Sequence, residues 1–149
     1  MNEKEIEQKI KEGYILAEMW FEAVALDKEV SENALKEHVK KLKDFSDIKV
    51  LEEKFYEAKE VKNFENYERA FSSAAKVKVL AKDLYALIFA TIVYAPSSVI
   101  LLKPEKFNLD LTTMQTIINT FADLIHRISR IGGKIIIPLP HIKREENKE

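Results

Sequence analysis

Apolar and polar residues alternate along the segment 14–26, YILAEMWFEAVAL, at the two-residue period of a β-strand. As a strand, this segment places Glu18 and Glu22 on one face and a wholly apolar set of residues on the other. A helix is the competing interpretation, because Ala, Leu, Glu and Met all favour helices. We predict a strand, since that conformation separates the two glutamates from the apolar side chains.

Three further segments are predicted to be strands. Residues 48–61 carry interleaved charges and predict a strand that continues past a bulge or bend, and the polar stretch 62–68 predicts a hairpin connection. Residues 69–81 alternate strictly and form the second arm of that hairpin. The unbroken apolar run 98–102, SVILL, is typical of a strand that is buried on both faces.

Two helices are predicted between these strands. Ser31 has the side chain of an N-cap, and the apolar residues of 32–45 recur at helical spacing between charged ones. Asp83 is the predicted cap of the segment 84–95, which is apolar on almost every side and ends before Pro96. A helix of this kind is expected to be covered on more than one side.

A third helix is predicted near the carboxyl end of the chain. The residues Thr112–Gln115 have the pattern of a capping box, and Gly132 and Gly133 are expected to end the helix. Phe121 and Leu124 belong to its apolar face and are predicted to be buried.

The predicted order is strand, helix, strand, strand, helix, strand and an extra helix. This order is that of an α+β, ferredoxin-like βαββαβ sandwich with an extra C-terminal helix, whose antiparallel sheet carries two helices on one face. We expect a single domain, 1–149, that consists of a polar lead-in (1–12), a core (13–133) and a tail (134–149). The tail contains an apolar piece, Ile135–Ile137, that can extend a neighbour's sheet edge.

Charge and composition limit the partners that this chain can have. The formal net charge is −1, so no long-range field draws nucleic acid to the molecule. The sequence has no run of about 20 apolar residues, and its charged amino terminus lacks the apolar core of a signal peptide. We therefore expect a cytoplasmic protein with no membrane partner. Dense Lys and Glu without Cys predict a thermophilic source.

The residues that enzymes most often use are poorly represented. The absence of cysteine excludes disulfides and thiolate metal sites from this chain alone. His38, His126 and His141 have no second histidine three or four positions away, so no metal site is predicted. The three glycines cannot build a phosphate or dinucleotide loop, and no cofactor is expected.

One polar cluster on the third helix is the candidate binding site. Its members recur at spacings of three and four and therefore share one helix face: Asn119, Asp123, His126, Arg127 and Arg130. Asp123 can orient His126 or pair with Arg127. The alternative interpretation is a solvated helix face, which carries such a mixture by chance, and exposed ion pairs contribute only about 0 to 1 kcal/mol. No catalytic residue is predicted.

The run Tyr94–Ile100, YAPSSVI, with the later Lys103, Pro104 and Glu105, is similar to a segment in a family of small uncharacterised archaeal proteins. The whole chain also has the element order of that family. The resemblance implies a ferredoxin-like domain and an archaeal source, but no activity, because the family carries none to transfer.

Three functions are ranked on this basis. The first is a non-catalytic association module, most simply a homodimer, because a two-layer domain of this size cannot cover both faces of its sheet. The second is a weak RNA or nucleotide binder, although Trp20 alone is a weak platform for stacking bases. The third is an enzyme of unknown class. The second function would use a basic patch formed by Lys40, Lys41, Lys43, Lys76, Lys78 and Lys82.

Overall fold

The computed structural model describes residues 1–133 of the chain. This range contains four helices and four strands, so the predicted α+β class is confirmed. The elements are α1 (Glu3–Lys11), β1 (Ile15–Ala25), α2 (Lys28–Lys43), β2 (Ile48–Phe64), β3 (Tyr67–Ala81), α3 (Leu84–Tyr94), β4 (Ser98–Lys103) and α4 (Leu111–Arg130). The apolar piece predicted at Ile135–Ile137 lies outside the described residues, as does the rest of the predicted tail.

The chain divides into two compact units, Met1–Asn108 and Leu109–Glu149. The first unit contains the four strands and the helices α1, α2 and α3. The described part of the second unit is the helix α4 with its flanking residues.

The four strands form one antiparallel sheet in the order β2-β3-β1-β4. The central strands β1 and β3 pair over the whole of β1, from Ile15 opposite Ala81 to Ala25 opposite Phe71. The segment 14–26 is therefore a strand, as predicted. The exact predicted βαββαβ order is not matched, since the sheet has the strand order β2-β3-β1-β4. The polar lead-in, for which a helix was one of the interpretations, contains α1.

The core lies on one face of this sheet, beneath α2 and α3. Every second residue is buried there from Ile15 to Phe21 of β1 and from Ser73 to Ala81 of β3, because successive side chains of a strand point to opposite faces. The strand residues of the core are Ile15, Ala17, Met19, Phe21, Ala75, Val77, Val79 and Ala81. The helices complete the core with Leu35, Val39, Leu42, Ala86, Leu87 and Ala90.

Helix α2 begins earlier than predicted. Its N-cap is Asp27, and the predicted N-cap, Ser31, lies buried inside the first turn. The Ser31 hydroxyl donates to the carbonyl of Lys28 at 2.8 Å. The prediction was wrong because the regular apolar spacing starts only at Leu35, and Val30 in the first turn is exposed and does not belong to it.

The hairpin between β2 and β3 is tighter than predicted. The strands extend to a pair formed by Phe64 and Tyr67, which leaves only Glu65 and Asn66 as the turn. The predicted connection 62–68 was too long because both ends of the hairpin are mostly solvent-exposed. Polar residues on an exposed strand resemble a loop in sequence.

The strand β4 is an edge strand that contains no buried residue. Leu101 in its middle is 62% exposed. The prediction that SVILL is buried on both faces is wrong. An unbroken apolar run is typical of a strand between two neighbours, whereas β4 has β1 alone on one side.

Asp83 caps α3 as predicted, and its side chain accepts a hydrogen bond from the backbone N–H of Ala86 at 2.7 Å. The predicted cover on more than one side is not found among the described residues. The buried residues of α3, which are Ala86, Leu87 and Ala90, lie on one side of the helix. The other side is exposed to solvent. Three large residues there are at least 40% exposed: Tyr85, Phe89 and Val93.

Helix α4 is capped by Asp110, whose side chain accepts a hydrogen bond from the backbone N–H of Thr113 at 2.7 Å. The capping box predicted over Thr112–Gln115 is wrong, because the capping side chain lies two residues earlier. Gly132 ends the helix in the left-handed region, with φ of 78°, as predicted.

No residue of α4 is buried, and Phe121 is 44% exposed. The predicted burial of Phe121 and Leu124 is therefore wrong for this chain. Helical periodicity identifies which face is apolar, but it does not show whether another element covers that face.

The bulge predicted within 48–61 is confirmed, since the register of β2 shifts between Tyr56 and Lys59. At this bulge, where Glu57 and Ala58 lie opposite the single residue Ser73, Glu32 of α2 accepts a hydrogen bond from the N–H of Ala58 at 2.9 Å. A side chain of the overlying helix thus fixes the position of the bulge.

Replacing Glu32 with alanine is expected to lower the free energy of unfolding by about 1–3 kcal/mol, because it leaves the N–H of Ala58 unsatisfied in a partly buried position. Amide hydrogen exchange at Ala58 should speed up in the same variant. Glu37→Ala, at an exposed position of the same helix, is the matched control. Equal loss of stability in both variants would contradict this account of the bulge.

Candidate functional site

The five residues predicted as a binding site all lie exposed on one face of α4. Asp123 pairs with Arg127, with Oδ2 and Nε 2.7 Å apart, so the structure selects this pairing over one with His126. Both side chains are more than half exposed, which limits the pair to a surface contribution. Asn119 accepts a hydrogen bond from Gln115 one turn earlier.

His126 and Arg130 form no hydrogen bond with the other three residues within the described part of the chain. The five residues are thus neighbours on a helix face, and the one charged contact among them is that of Asp123 with Arg127. This geometry supplies polar groups, but it does not arrange them around a common point.

The opposite side of α4 carries an apolar stripe, which we define as Leu111, Met114, Ile118, Phe121 and Ile125. Each of these side chains is at least 43% exposed, and Leu111 is 81% exposed. They follow one another at alternating steps of three and four residues, the spacing by which two helices pack along a shared seam. Over 20 residues, α4 presents this stripe along a length of about 30 Å.

The charges at the two ends of α4 differ in sign. The carboxylate of Asp110 caps the amino end, and the hydrogen bond from Thr113 lowers the pKa of this carboxyl from its ordinary value. Arg127 and Arg130 lie in the last turn. Both arrangements complement the helix dipole, and they leave the helix acidic at its start and basic at its end.

A second group of residues lies on the sheet face that α2 and α3 do not cover. We define the aromatic–lysine cluster as Trp20 of β1, Tyr56 and Lys54 of β2, and Lys76 of β3. The rings of Trp20 and Tyr56 are nearly parallel, with centroids 5.7 Å apart and an angle of 17° between their planes. Both aromatic residues are half-buried.

Each ring of the cluster has a lysine above it. The Nζ of Lys54 lies 4.9 Å from the Tyr56 centroid, and the Nζ of Lys76 lies 5.8 Å from the Trp20 centroid. Glu18 accepts a hydrogen bond from the indole N–H of Trp20 at 2.9 Å and lies 3.6 Å from Lys76. These contacts hold the indole ring in one orientation.

Tyr56 was not predicted as a functional residue. Its contact with Trp20 depends on the register of three strands and on where the bulge lies in β2. A bulge or bend within 48–61 was predicted, but neither its position nor the register can be derived from a single sequence. The sequence shows only that Tyr56 is an aromatic residue within the predicted strand 48–61. Buried core residues have the same pattern, so it does not distinguish a functional residue from a core residue.

The predicted basic patch is not formed. Lys76 and Lys78 pair with residues of the uncovered sheet face, namely Trp20 and Glu18. Lys40, Lys41 and Lys43 belong to α2, which packs on the opposite face. The two groups of lysines are therefore separated by the sheet.

The first unit has concave regions on its surface, of which two are described. One, of about 200 Å³, lies beside the bulge and is lined by Glu32, Lys36 and Ser73 among others. The other, of about 450 Å³, lies between α1 and the end of β4, where Glu7 and Lys103 approach to 4.0 Å. The first is smaller than a typical ligand pocket, and the second has opposed charges that face each other.

Residues 1–133 contain no group of three or more His, Asp or Glu side chains arranged to hold a metal ion. In the same range, no helix combines the length and apolar character that a membrane crossing requires.

Residues 3–143 match the family model of the MJ0538 family. The chain belongs to the MJ0538 family. The match spans nearly the entire sequence, from α1 through α4, so both compact units belong to the region that the MJ0538 family model describes. No curated protein matches the sequence.

Proposed function

We propose that this member of the MJ0538 family is a non-catalytic association module that forms a homodimer through the apolar stripe of α4. The observation that supports this proposal most strongly is a 20-residue helix with no buried residue and a continuous row of exposed apolar side chains. An apolar face of this kind usually marks an interface, because its contact with water is unfavourable.

The proposal includes a ferredoxin-like arrangement for the first unit. Strands β1 to β4 alternate with α2 and α3 in the order strand, helix, strand, strand, helix, strand. The antiparallel sheet, with both helices on one face, supports this assignment. A fold of this class serves many functions, so the function is argued from the surface of α4.

The spacing of the stripe suits an antiparallel pair of α4 helices. When one copy runs against the other, Met114 faces Ile125 and Ile118 faces Phe121. Leu111 then faces Ile128, the half-buried apolar residue that follows the stripe by three positions. Every layer of the interface then contains two apolar side chains. Each contact occurs twice, as a twofold axis between identical chains requires.

The charges at the ends of α4 favour the same direction. An antiparallel pair places Asp110 of one helix beside the last turn of the other, where Arg127 and Arg130 lie. A parallel pair would bring the arginines of both copies together, which is unfavourable. The helix dipoles also oppose each other in the antiparallel arrangement.

Replacing Ile118 with glutamate is expected to convert the dimer to a monomer. The variant buries two carboxylates at the centre of the interface, so the dimer should dissociate at least about 100-fold more readily. Light scattering coupled to gel filtration measures the mass. Thr116→Glu, on the polar side of the same helix, is the matched control and should remain dimeric. Equal masses for the two variants would contradict the proposal.

The direction of pairing can be tested with single cysteines, because the chain has none of its own. A mixture of Met114→Cys and Ile125→Cys chains should form a mixed disulfide dimer on mild oxidation. Each variant alone should cross-link poorly, since its two cysteines would lie at opposite ends of the interface. Efficient cross-linking of Met114→Cys with itself would indicate a parallel pair and contradict the antiparallel one.

A further inference from the structure

We infer that the aromatic–lysine cluster is a binding site for single-stranded nucleic acid, which stacks an unpaired base on the rings of Trp20 and Tyr56 and places a phosphate beside Lys54 and Lys76. This site lies wholly within the first unit, whereas the apolar stripe of α4 belongs to the second. The inference therefore goes beyond self-association, and either one can fail without the other.

The aromatic pair provides a stacking surface on the sheet face that α2 and α3 do not cover. Strand β3 runs between β1 and β2 and contributes Ala74 opposite Tyr56. The small side chain of Ala74 leaves room for the Tyr56 ring to approach that of Trp20 across β3. Stacking of a base on an aromatic side chain contributes about 1–3 kcal/mol and depends little on the identity of the base.

The charge of this sheet face complements phosphate. Strand pairing directs five lysines to this face: Lys49, Lys54, Lys59, Lys76 and Lys78. Pairing and alternation direct four glutamates to the same face: Glu18, Glu22, Glu52 and Glu68. Lysines are therefore in excess here, although the whole chain carries a net charge of −1.

Lys54 is the best placed of these lysines to contact a phosphate. Lys76 and Lys78 are paired with Glu18 and Glu52. Within residues 1–133, no carboxylate lies within 4 Å of the Lys54 ammonium group, which instead lies over the ring of Tyr56. A phosphate attached to a stacked base would meet this ammonium group at the edge of the aromatic pair.

The ligand must be single-stranded, because the bases of a duplex are stacked on one another and cannot offer their faces to a protein ring. The indole N–H of Trp20 already donates to Glu18. Recognition therefore rests on stacking and charge, and the site should tolerate different base sequences.

Trp20 is the only tryptophan of the chain, so its fluorescence reports on this site directly. Titration of the full chain with unlabelled twelve-nucleotide oligouridylate is expected to quench the Trp20 emission in a saturable manner. Oligothymidylate of the same length is the second arm and distinguishes RNA from DNA as the preferred source of the same chemistry. A duplex of equal length should not quench.

Tyr56→Ala is expected to weaken binding of either oligonucleotide about 5- to 150-fold, the range that corresponds to one lost stacking contact. Tyr56→Phe keeps the ring and should keep the affinity. Lys54→Ala should reduce the salt dependence of binding by about 0.7 in the logarithmic slope, the value for one phosphate contact on a single strand. Tyr67→Ala, at the exposed hairpin, and Lys40→Ala, on α2, are the matched controls.

Absence of quenching with both oligonucleotides would overturn the inference, and so would equal quenching by the duplex. Binding that Tyr56→Ala leaves unchanged while Tyr67→Ala weakens it would also overturn it, because the contact would then lie at the hairpin. Tyr56→Phe keeps the test valid if the alanine variant fails to fold, since loss of binding by a folded phenylalanine variant contradicts recognition by stacking.

Discussion

Replacing Phe21 with alanine is expected to lower the free energy of unfolding by about 3–5 kcal/mol, because the change removes a buried ring and leaves a cavity in its place. Phe21 is 2% exposed, and its ring lies edge-on to that of His38 with centroids 5.3 Å apart. The substitution therefore removes a contact between β1 and α2 at the centre of the core. Urea denaturation at a fixed protein concentration measures the effect.

Phe107→Ala is the matched control for this substitution. Phe107 is 38% exposed in the connection after β4, and its removal should cost about 1 kcal/mol or less. A loss for Phe21→Ala as small as that for Phe107→Ala would show that β1 does not carry the core, and the sheet topology would have to be rejected.

Replacing Met19 with lysine is expected to cost about 3–5 kcal/mol or more, which is a large part of the stability of an ordinary domain. Met19 is 0% exposed in the middle of β1, and no acidic residue belongs to the core around it. The ammonium group would be buried without a partner, so the variant should be largely unfolded. Circular dichroism and the dispersion of amide resonances measure the loss of structure.

Glu22→Lys introduces the same side chain on the same strand and is the control. Glu22 is exposed on the uncovered face, so this change should alter stability by only about 0.5 kcal/mol. The two variants together test the register of β1, because a slip by one residue exchanges its two faces. Destabilisation by Glu22→Lys with tolerance of Met19→Lys would mean that the faces are reversed.

The elements that could be predicted from sequence are those whose pattern is local. The alternation predicted for β1 and β3 matches their burial from Ile15 to Phe21 and from Ser73 to Val79, where one face of each strand contacts the core. Asp83 and Gly132 delimit helices through the conformation of their own backbone and nearby hydrogen bonds. Nothing distant is needed to recognise such signals.

The features that could not be predicted depend on which neighbour an element has. The apolar run of β4 has the pattern of an inner strand, yet β4 lies at the sheet edge. The apolar face of α4 was identified, but its burial was not, because periodicity does not reveal a covering element. The contact between Trp20 and Tyr56 depends on three paired strands and a bulge, so it emerges only in the folded chain.

The candidate residues on α4 show the same limit. Their shared face could be predicted from spacing, and the ion pair of Asp123 with Arg127 is one of the two alternatives considered. The more informative side of the helix is the opposite one, where the apolar stripe lies exposed. The exposure of this stripe depends on which other residues pack against each side chain, and the spacing of the stripe does not contain that information.

Light scattering of the unmodified chain across a range of micromolar concentrations tests the central claim, self-association through α4, most directly. The account predicts a particle of twice the 17.3 kDa chain mass that dissociates only on dilution. A particle with the mass of one chain at every concentration would contradict it, because the exposed stripe of α4 would then have no second copy to cover it.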